Sequence, residues 1–360
     1  MLESILVKAG YRVGVYSTPH LRDYNERIRV DGQNVSDALL TGSFARIDVA
    51  RESTSLSYFE FGTLAALDIF AQQAVDIQIL EVGLGGRLDA VNIIDANAAL
   101  ITTIDVDHVD WLGTDKSKIA LEKAGVFRVQ QKAVCADKSV PQSLIDYAAS
   151  LHTDLLLAGK DFMVKDQASS WSLLAQHALA GDYVKPALAG GHQLQNAAGV
   201  ISLLAHIAAD VPLDKSAINA GLSSVSLPGR LQRLAGSADI YLDVAHNEQS
   251  ALALADFVRA KQPQAALHVV FSSLLDKDLD NILKPFVARV DHWHIAPLQT
   301  HRAQDVNKIL AYLDDTSNGT RELYPSIDSA FLAARRKMKK DDLLVCFGSF
   351  YVVEACLDAL

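Results

Sequence analysis

The chain opens on an amphipathic stretch. Leu2, Ile5, Leu6 and Ala9 recur at helical spacing, Gly10 can close that helix, and RVGVYS then reads as a buried strand. Short apolar runs go on alternating with helical patterns. A helix from about Glu60 to Gln73 precedes DIQILEV, AALITTI comes next, and a helix follows near Lys116 to Ala124. Unbroken runs of this kind are what parallel strands look like when both faces are covered, and their alternation with helices predicts a doubly wound α/β sheet. A second series begins after SSVSLPGRLQ: ADIYLDVAH, ALHVVFSSL, DHWHIAPL and DLLVCFGS read as strands, with Ser250 to Lys261 as a helix. The boundary between the series falls near Pro228 and Gly229, giving domains 1–228 and 229–360. Residues from about 135 to 185 are weakly patterned, and His192 to Ala209 reads as a helix. There is no repeat of fixed period and no low-complexity tract.

Length and composition narrow the class. The 360 residues are half apolar, enough for two or three cored domains. Forty-three acidic against 33 basic residues give a formal charge of −10, which argues against a nucleic-acid or anionic-membrane surface, so anionic ligands must be met by locally placed cations. Cys135, Cys346 and Cys356 lack metal spacing and sit in or beside apolar runs, as reduced core cysteines do. No apolar run reaches the ~20 residues that span a bilayer, and the start has no signal-peptide pattern, so a cytoplasmic address is expected.

In open α/β sheets the ligand crevice lies beyond the carboxyl ends of the strands. Thr18, Pro19 and His20 follow RVGVYS, and Glu81 ends QILE. Asp105, Asp107 and His108 follow ALITTI, and YLDVAHN carries Asp243, His246 and Asn247. A hydroxyl, a carboxylate and an imidazole meeting there are candidate ligands for a divalent cation holding nucleotide phosphates. Taken singly, Thr18 before proline reads as a turn residue and His108 as a structural histidine. Glu81 in an apolar run costs too much to bury without a partner, which points to a site or an ion pair.

The run EVGLGGRLDAVN has two readings. Gly83, Gly85 and Gly86 after a strand, with Asp105 about 20 residues on, mimic a dinucleotide fingerprint and hence a nicotinamide-dependent dehydrogenase, but Leu88 stands where the third glycine belongs. The preferred reading is a tight glycine turn that brings backbone close to substrate, with Arg87 and Asp89 exposed beside it. By pattern alone Lys123 is a solvated helix lysine paired with an acidic neighbour. Arg230, in LPGR at the domain junction, is a planar cation placed to reach phosphates.

Taken in order, YSTPHL, SYFEFGT, ILEVGLGGRLDAVN, DHVDWLG, EKAGVF, LPGR, DVAHN and LVCFGSF resemble the motif series of the folylpolyglutamate synthases of the bifunctional bacterial dihydrofolate synthase type, within the Mur ligase superfamily. The resemblance runs the length of the chain. It implies a P-loop-type, mostly parallel sheet followed by a smaller Rossmann-like α/β C-terminal glutamate-ligase domain. It also implies an ATP-dependent ligase that adds L-glutamate to dihydropteroate or folates through an acyl phosphate. Thr18, Glu81 and His108 match magnesium ligands, and Lys123 matches a lysine that is carbamylated and helps hold a second magnesium, which replaces the solvated-lysine reading. Asn196, Arg230 and Asp243 match nucleotide contacts. Ser57, Tyr58, Phe59 and Glu60, with Leu88, Asp89 and Ala90, match the pterin-site segments, where Phe59 could stack on the ring. His108, Lys123 and Arg230 are the catalytic residues so implied, and the family is usually monomeric.

The sequence also departs from the pattern. The family's glycine-rich loop ending Gly-Lys-Gly-Ser/Thr lies just upstream of the helix that opens this chain, and the Gly159-Lys160 pair is followed by Asp161. The expectation is therefore a chain truncated at its N-terminus, without the first strand and the P-loop, with an open slot in its sheet and no ligation by these residues alone. Tyr351 and THRAQ replace a histidine and a glycine-proline-arginine turn of the C-terminal motifs. A pterin-binding remnant without catalysis is the competing reading.

Overall fold

The computed structural model describes all residues except 107–108, 237 and 262–264. The chain divides into two compact units, 1–187 with 193–225 and 188–192 with 226–360.

In the first unit α1 (Leu2–Lys8) leads into β1 (Val13–Tyr16), followed by β2 (Ile28–Val30), β3 (Gln33–Asn34), α2 (Asp37–Ala50), α3 (Tyr58–Gln72) and β4 (Ile77–Leu80). The strands form one sheet in the order β3-β2-β1-β4, with β1 parallel to β4 and antiparallel to β2. All four residues of β1 are buried, as the run RVGVYS requires. Gly14 is needed there because a Cβ would lie 2.5 Å from the Phe70 ring, so α3 packs tightly on the strand. On the other side α1 lies against α8 (Lys215–Ser224), where a Cβ at Gly221 would sit 2.5 Å from the Ile5 Cα.

The chain continues through β5 (Ala98–Ile101), α4 (Val109–Leu112), α5 (Lys116–Ala124), β6 (Lys132–Cys135), α6 (Gln142–Ser150) and β7 (Asp154–Leu157). β5, β6 and β7 form a second parallel sheet, so β4 and β5 are each the edge of their own sheet. Ile77 and Ile79 of one edge and Ala98 and Leu100 of the other pack against the same apolar core. The weakly patterned stretch holds more than the sequence suggested: besides α6 it forms β8 (Phe162–Asp166), β9 (Ser170–Ala175) and β10 (Gly181–Val184), an antiparallel sheet. Phe162, Trp171, Leu173 and Tyr183 are its buried apolar residues, and α7 (His192–His206) follows.

The second unit is built on β11 (Gln232–Arg233), β12 (Asp239–Leu242), α9 (Glu248–Lys261), β13 (Leu267–Phe271), α10 (Leu279–Leu283), β14 (His292–Ile295), α11 (Val306–Thr316), β15 (Thr320–Leu323), α12 (Ile327–Lys337), β16 (Leu343–Phe347) and α13 (Phe350–Asp358). Its six-stranded sheet has the order β11-β12-β16-β13-β14-β15 and is parallel except for β11. β13 and β16 are wholly buried, which fits the all-apolar sequence of β16 and, apart from His268, that of β13. The three cysteines are buried free thiols. Among the described residues no helix is long and apolar enough to cross a membrane.

One face of this sheet carries a buried polar row. His268 Nδ1 and His294 Nε2 are 3.2 Å apart, His294 Nδ1 is 3.1 Å from the Tyr324 hydroxyl, and that hydroxyl donates to Glu322 at 2.7 Å. His268 Nε2 faces Asp342 at 3.5 Å. Burial, followed by repulsion from His268, pulls His294 down from 6.5 to about 4, and burial also lowers His268. Since the folded form holds His294 neutral, protonation favours the unfolded chain: the stability contribution is complete above the ordinary histidine value and is lost as pH falls from 6.5 towards about 4. Melting curves between pH 7.5 and 4.5 should show this loss, worth roughly 3 kcal/mol across the whole window. His294→Gln should flatten the slope in that interval; an unchanged slope would remove His294 as its source.

Candidate functional site

Parallel pairing of β1 with β4 puts Tyr16 opposite Leu80, so the residues just past each strand emerge side by side. There the Thr18 backbone N–H donates to Glu81 Oε2 at 2.9 Å, and the peptide bond that follows, Thr18-Pro19, is cis. Glu81 lies just beyond the strand and is exposed, so the burial penalty inferred from its apolar context does not apply; its position at the rim is what remains of that argument. Thr18 is half-buried. Behind this pair Arg29 donates to Ser17 Oγ at 2.9 Å and is paired with Glu3 at 2.9 Å, which fixes the end of β1.

After Glu81 the chain makes the glycine turn, and its neighbours explain its composition. Gly85 has φ +67°, and a Cβ on Gly86 would lie 2.6 Å from the Glu122 carbonyl and 2.9 Å from that of Lys123. A Cβ on Gly83 would strike the Phe59 ring at 2.8 Å. The Arg87 N–H donates to the Glu122 carbonyl at 2.8 Å, its side chain pairs with the Glu122 carboxylate at 2.9 Å, and Asn92 bridges the Arg87 and Gly125 carbonyls. The turn is thus fastened to the last turn of α5, which carries Lys123, half-buried. The dinucleotide reading fails on context. A 3₁₀ turn, Ala90–Ile93, follows instead of a helix, Leu88 is 80% exposed, and Asp105 is paired with Lys116 at 2.7 Å.

Asp89 is not simply exposed beside the turn. Its carboxylate is half-buried and accepts from the N–H groups of Gly83, Leu84 and Val91 at 3.0, 3.1 and 3.0 Å, closing the turn and capping the 3₁₀ helix. Ser57 and Glu60 form a capping box at the start of α3, with the Ser57 N–H donating to Glu60 at 2.6 Å. The Ser-x-x-Glu spacing before an apolar run is the signal that could have assigned them this role. Between them Tyr58 is 62% exposed, whereas Phe59 tucks under Gly83 with its ring 5.6 Å from that of Tyr16.

Elsewhere in the first unit Asn196 lies on α7, where its amide donates to Gln193 at 3.3 Å. In the second unit Asp243 is 8% exposed and accepts from the Leu231 N–H at 2.7 Å and the Ala245 N–H at 2.8 Å. Burial pushes its carboxyl up against the pull of those two N–H groups and of Arg230. With the Val244 N–H donating to the Gly229 carbonyl at 2.8 Å, these bonds pin the LPGR loop to the end of β12 and hold Arg230 over the Phe350 ring, 5.7 Å from its centre. Sequence reasoning passed over Phe350. His108, expected as a metal ligand, lies outside the described residues. Among the described residues no group of three or more histidine, cysteine, aspartate or glutamate side chains could hold a metal ion. A cavity of about 380 Å³ lined by Lys8, Ala9 and Asp214 lies at the amino-terminal end of β1, away from this chemistry.

Residues 229–350 match the model of the Mur ligase glutamate ligase domain. Over all its length the chain is 37% identical to the dihydrofolate synthase/folylpolyglutamate synthase of Escherichia coli K12, spanning 82% of that protein. The chain belongs to this ligase family. An E. coli FolC solved with DHPP and ADP superposes with a TM-score of 0.91 at 37% identity, covering 99% of this chain and 84% of that one. A Yersinia pestis bifunctional folylpolyglutamate synthase/dihydrofolate synthase, complexed with AMPPNP and manganese ion, gives 0.90 at 37% identity over 99% and 84%. The family consists of ATP-dependent ligases.

The apposition of Gly86 and α5 is directly testable. Gly86→Ala should cost about 2–4 kcal/mol in chemical denaturation, because rigid backbone carbonyls, not movable side-chain ends, meet the new methyl. Gly191→Ala, with nothing within 4 Å of its Cβ, should stay within about 0.5 kcal/mol.

Proposed function

We propose that this chain is built to join L-glutamate to dihydropteroate and to folates through an acyl phosphate made from ATP. The observation that carries the reading is the Thr18–Glu81 pair at the rim of β1 and β4, beside a glycine turn locked to the Lys123 helix. Thr18 Oγ1 and the Glu81 carboxylate are hard oxygen donors, which suits magnesium. With His108 and the carbamate of Lys123, they would hold it. When bound, magnesium supplies charge neutralisation on the phosphates.

The chain's own residues do the rest. Phe59, backed by Tyr16, and the segment Leu88, Asp89 and Ala90, with Ser57, Tyr58 and Glu60 at the head of α3, border the pterin. Asp89 keeps the turn closed by its N–H bonds, so its part in substrate binding is to present backbone. Asn196, Arg230 and Asp243 contact the nucleotide. Asp243 acts by fixing the loop that carries Arg230, whose permanent charge offsets the negative charge that builds on the transferred phosphoryl group. The substrate carboxylate attacks the terminal phosphorus and ADP leaves; the glutamate amine then attacks the acyl carbon and phosphate leaves. The protein acts as a monomer in the cytoplasm.

The reading includes the absence of turnover by these 360 residues alone, since they contain no Gly-Lys-Gly-Ser/Thr segment to cradle the β and γ phosphates. An assay with dihydropteroate, glutamate and Mg-ATP tests that clause, and ligation above background would overturn it.

Two measurements test the metal site without needing turnover. Glu81→Gln should weaken Mn²⁺ binding, followed by electron paramagnetic resonance, by about tenfold or more, while unaltered affinity would exclude the carboxylate as a ligand. In protein equilibrated with ¹³C-bicarbonate, a carbamate resonance should be present in the native chain and absent from Lys123→Arg. Its absence from both would remove the carbamate.

A further inference from the structure

Two arginines stand near the end of β1 with opposite electrostatic surroundings. Arg29 is neutralised by Glu3 at 2.9 Å. Arg27, at the end of the 3₁₀ turn Tyr24–Arg27, has no carboxylate within ion-pair distance among the described residues, in a chain with a formal charge of −10. Its guanidinium is nevertheless built in. Nε donates to His20 Nδ1 at 2.7 Å, the group lies 5.5 Å from the Tyr24 ring centre and 5.3 Å from that of Tyr58, and it reaches the Tyr16 hydroxyl. Tyr24 is itself wedged edge-on between Tyr58 and Phe44. The Arg27 Nε–H points at His20 Nδ1, so that nitrogen is the acceptor. A half-buried cation held by a ring nitrogen and aromatic faces, and not by an ion pair, loses its freedom of movement while its charge stays available, which is how a guanidinium is prepared for an anion that comes and goes.

Position and chemistry select that anion. His20 comes two residues after Thr18, and Tyr58 comes just before Phe59, so Arg27 stands between the oxygen donors at the strand rim and the aromatic platform at the head of α3. A fixed guanidinium on the carboxylate that must attack phosphorus would stabilise the reactant and blunt its nucleophilicity. The same guanidinium on a carboxylate that does not react contributes binding without that cost. Dihydropteroate has one carboxylate, the reacting one. A folate has more, on its glutamyl tail.

We infer that Arg27 is a specificity-determining residue that grips a non-reacting carboxylate of the glutamyl tail, favouring folates over dihydropteroate as the acyl substrate. This rests on the function proposed above.

Calorimetry on the intact chain tests it with pteroate, pteroylglutamate and the diamide of pteroylglutamate, in which both tail carboxylates are masked. Arg27→Gln should weaken pteroylglutamate by about tenfold or more and leave pteroate within about threefold. On the unmutated chain the diamide should lose a similar factor, and Arg27→Gln should no longer distinguish the diamide from pteroylglutamate. The diamide comparison holds even if the variant folds badly. Equal weakening of pteroate and pteroylglutamate by Arg27→Gln, or a diamide that binds the unmutated chain as well as pteroylglutamate does, would overturn the assignment while leaving the pterin site standing. Failure of the unmutated chain to bind either pteroyl compound would instead sink the functional reading, and this inference with it.

Discussion

Everything proposed for the first unit depends on the register in which β1 and β4 pair. Val13 opposite Ile77 and Tyr16 opposite Leu80 make the two strands end together, and only then can the Thr18 N–H reach the Glu81 carboxylate. A slip of one residue would set a valine instead of Gly14 against Phe70 and carry Glu81 away from Thr18. The register is held from outside the pair as well as within it. Phe70 closes over Gly14, and the Glu3–Arg29–Ser17 chain anchors the residue just past β1. The rim is a consequence of packing before it is a feature of chemistry.

The glycine turn extends that rim to a helix. The backbone of residues 86–87 touches the backbone of residues 122–123 with no side chain between them, so α5 is located by main-chain contact, with Arg87–Glu122 and Asn92 as lateral ties. In the second unit the same economy recurs in another form. One buried carboxylate, Asp243, accepts from the backbone just after the LPGR loop and from its own loop beyond β12, and an exposed arginine is thereby given a fixed origin.

Much of this was legible because it is written in patterns of short range. The apolar runs of β1, β4, β5, β12, β13, β14 and β16 named the sheets, and polar residues at their ends named Thr18, Glu81 and Asp243 as candidates. Three kinds of feature were not legible. The antiparallel sheet β8–β10 was missed because polar residues interrupt its apolar positions, as in FMVKD, SWSLLA and GDYV. The burial argument for Glu81 failed because one residue decides whether a side chain lies inside a strand or beyond it, and sequence patterns do not fix boundaries so closely. The surroundings of Arg27 were invisible because His20, Tyr16, Tyr24 and Tyr58 come together only once the 3₁₀ turn and α3 are placed. Phe350 escaped for the same reason, since its partner Arg230 is more than a hundred residues away.

The glycine turn has one further consequence, for anyone seeking to alter its surface. Positions 83, 86 and 125 are closed to variation, because any side chain there would collide with Phe59, with helix carbonyls or with Arg87. Leu84 and Leu88, 40% and 80% exposed, project from the same loop without supporting it. A combinatorial library confined to those two leucines would vary the surface of the turn while the glycine backbone beneath keeps its form.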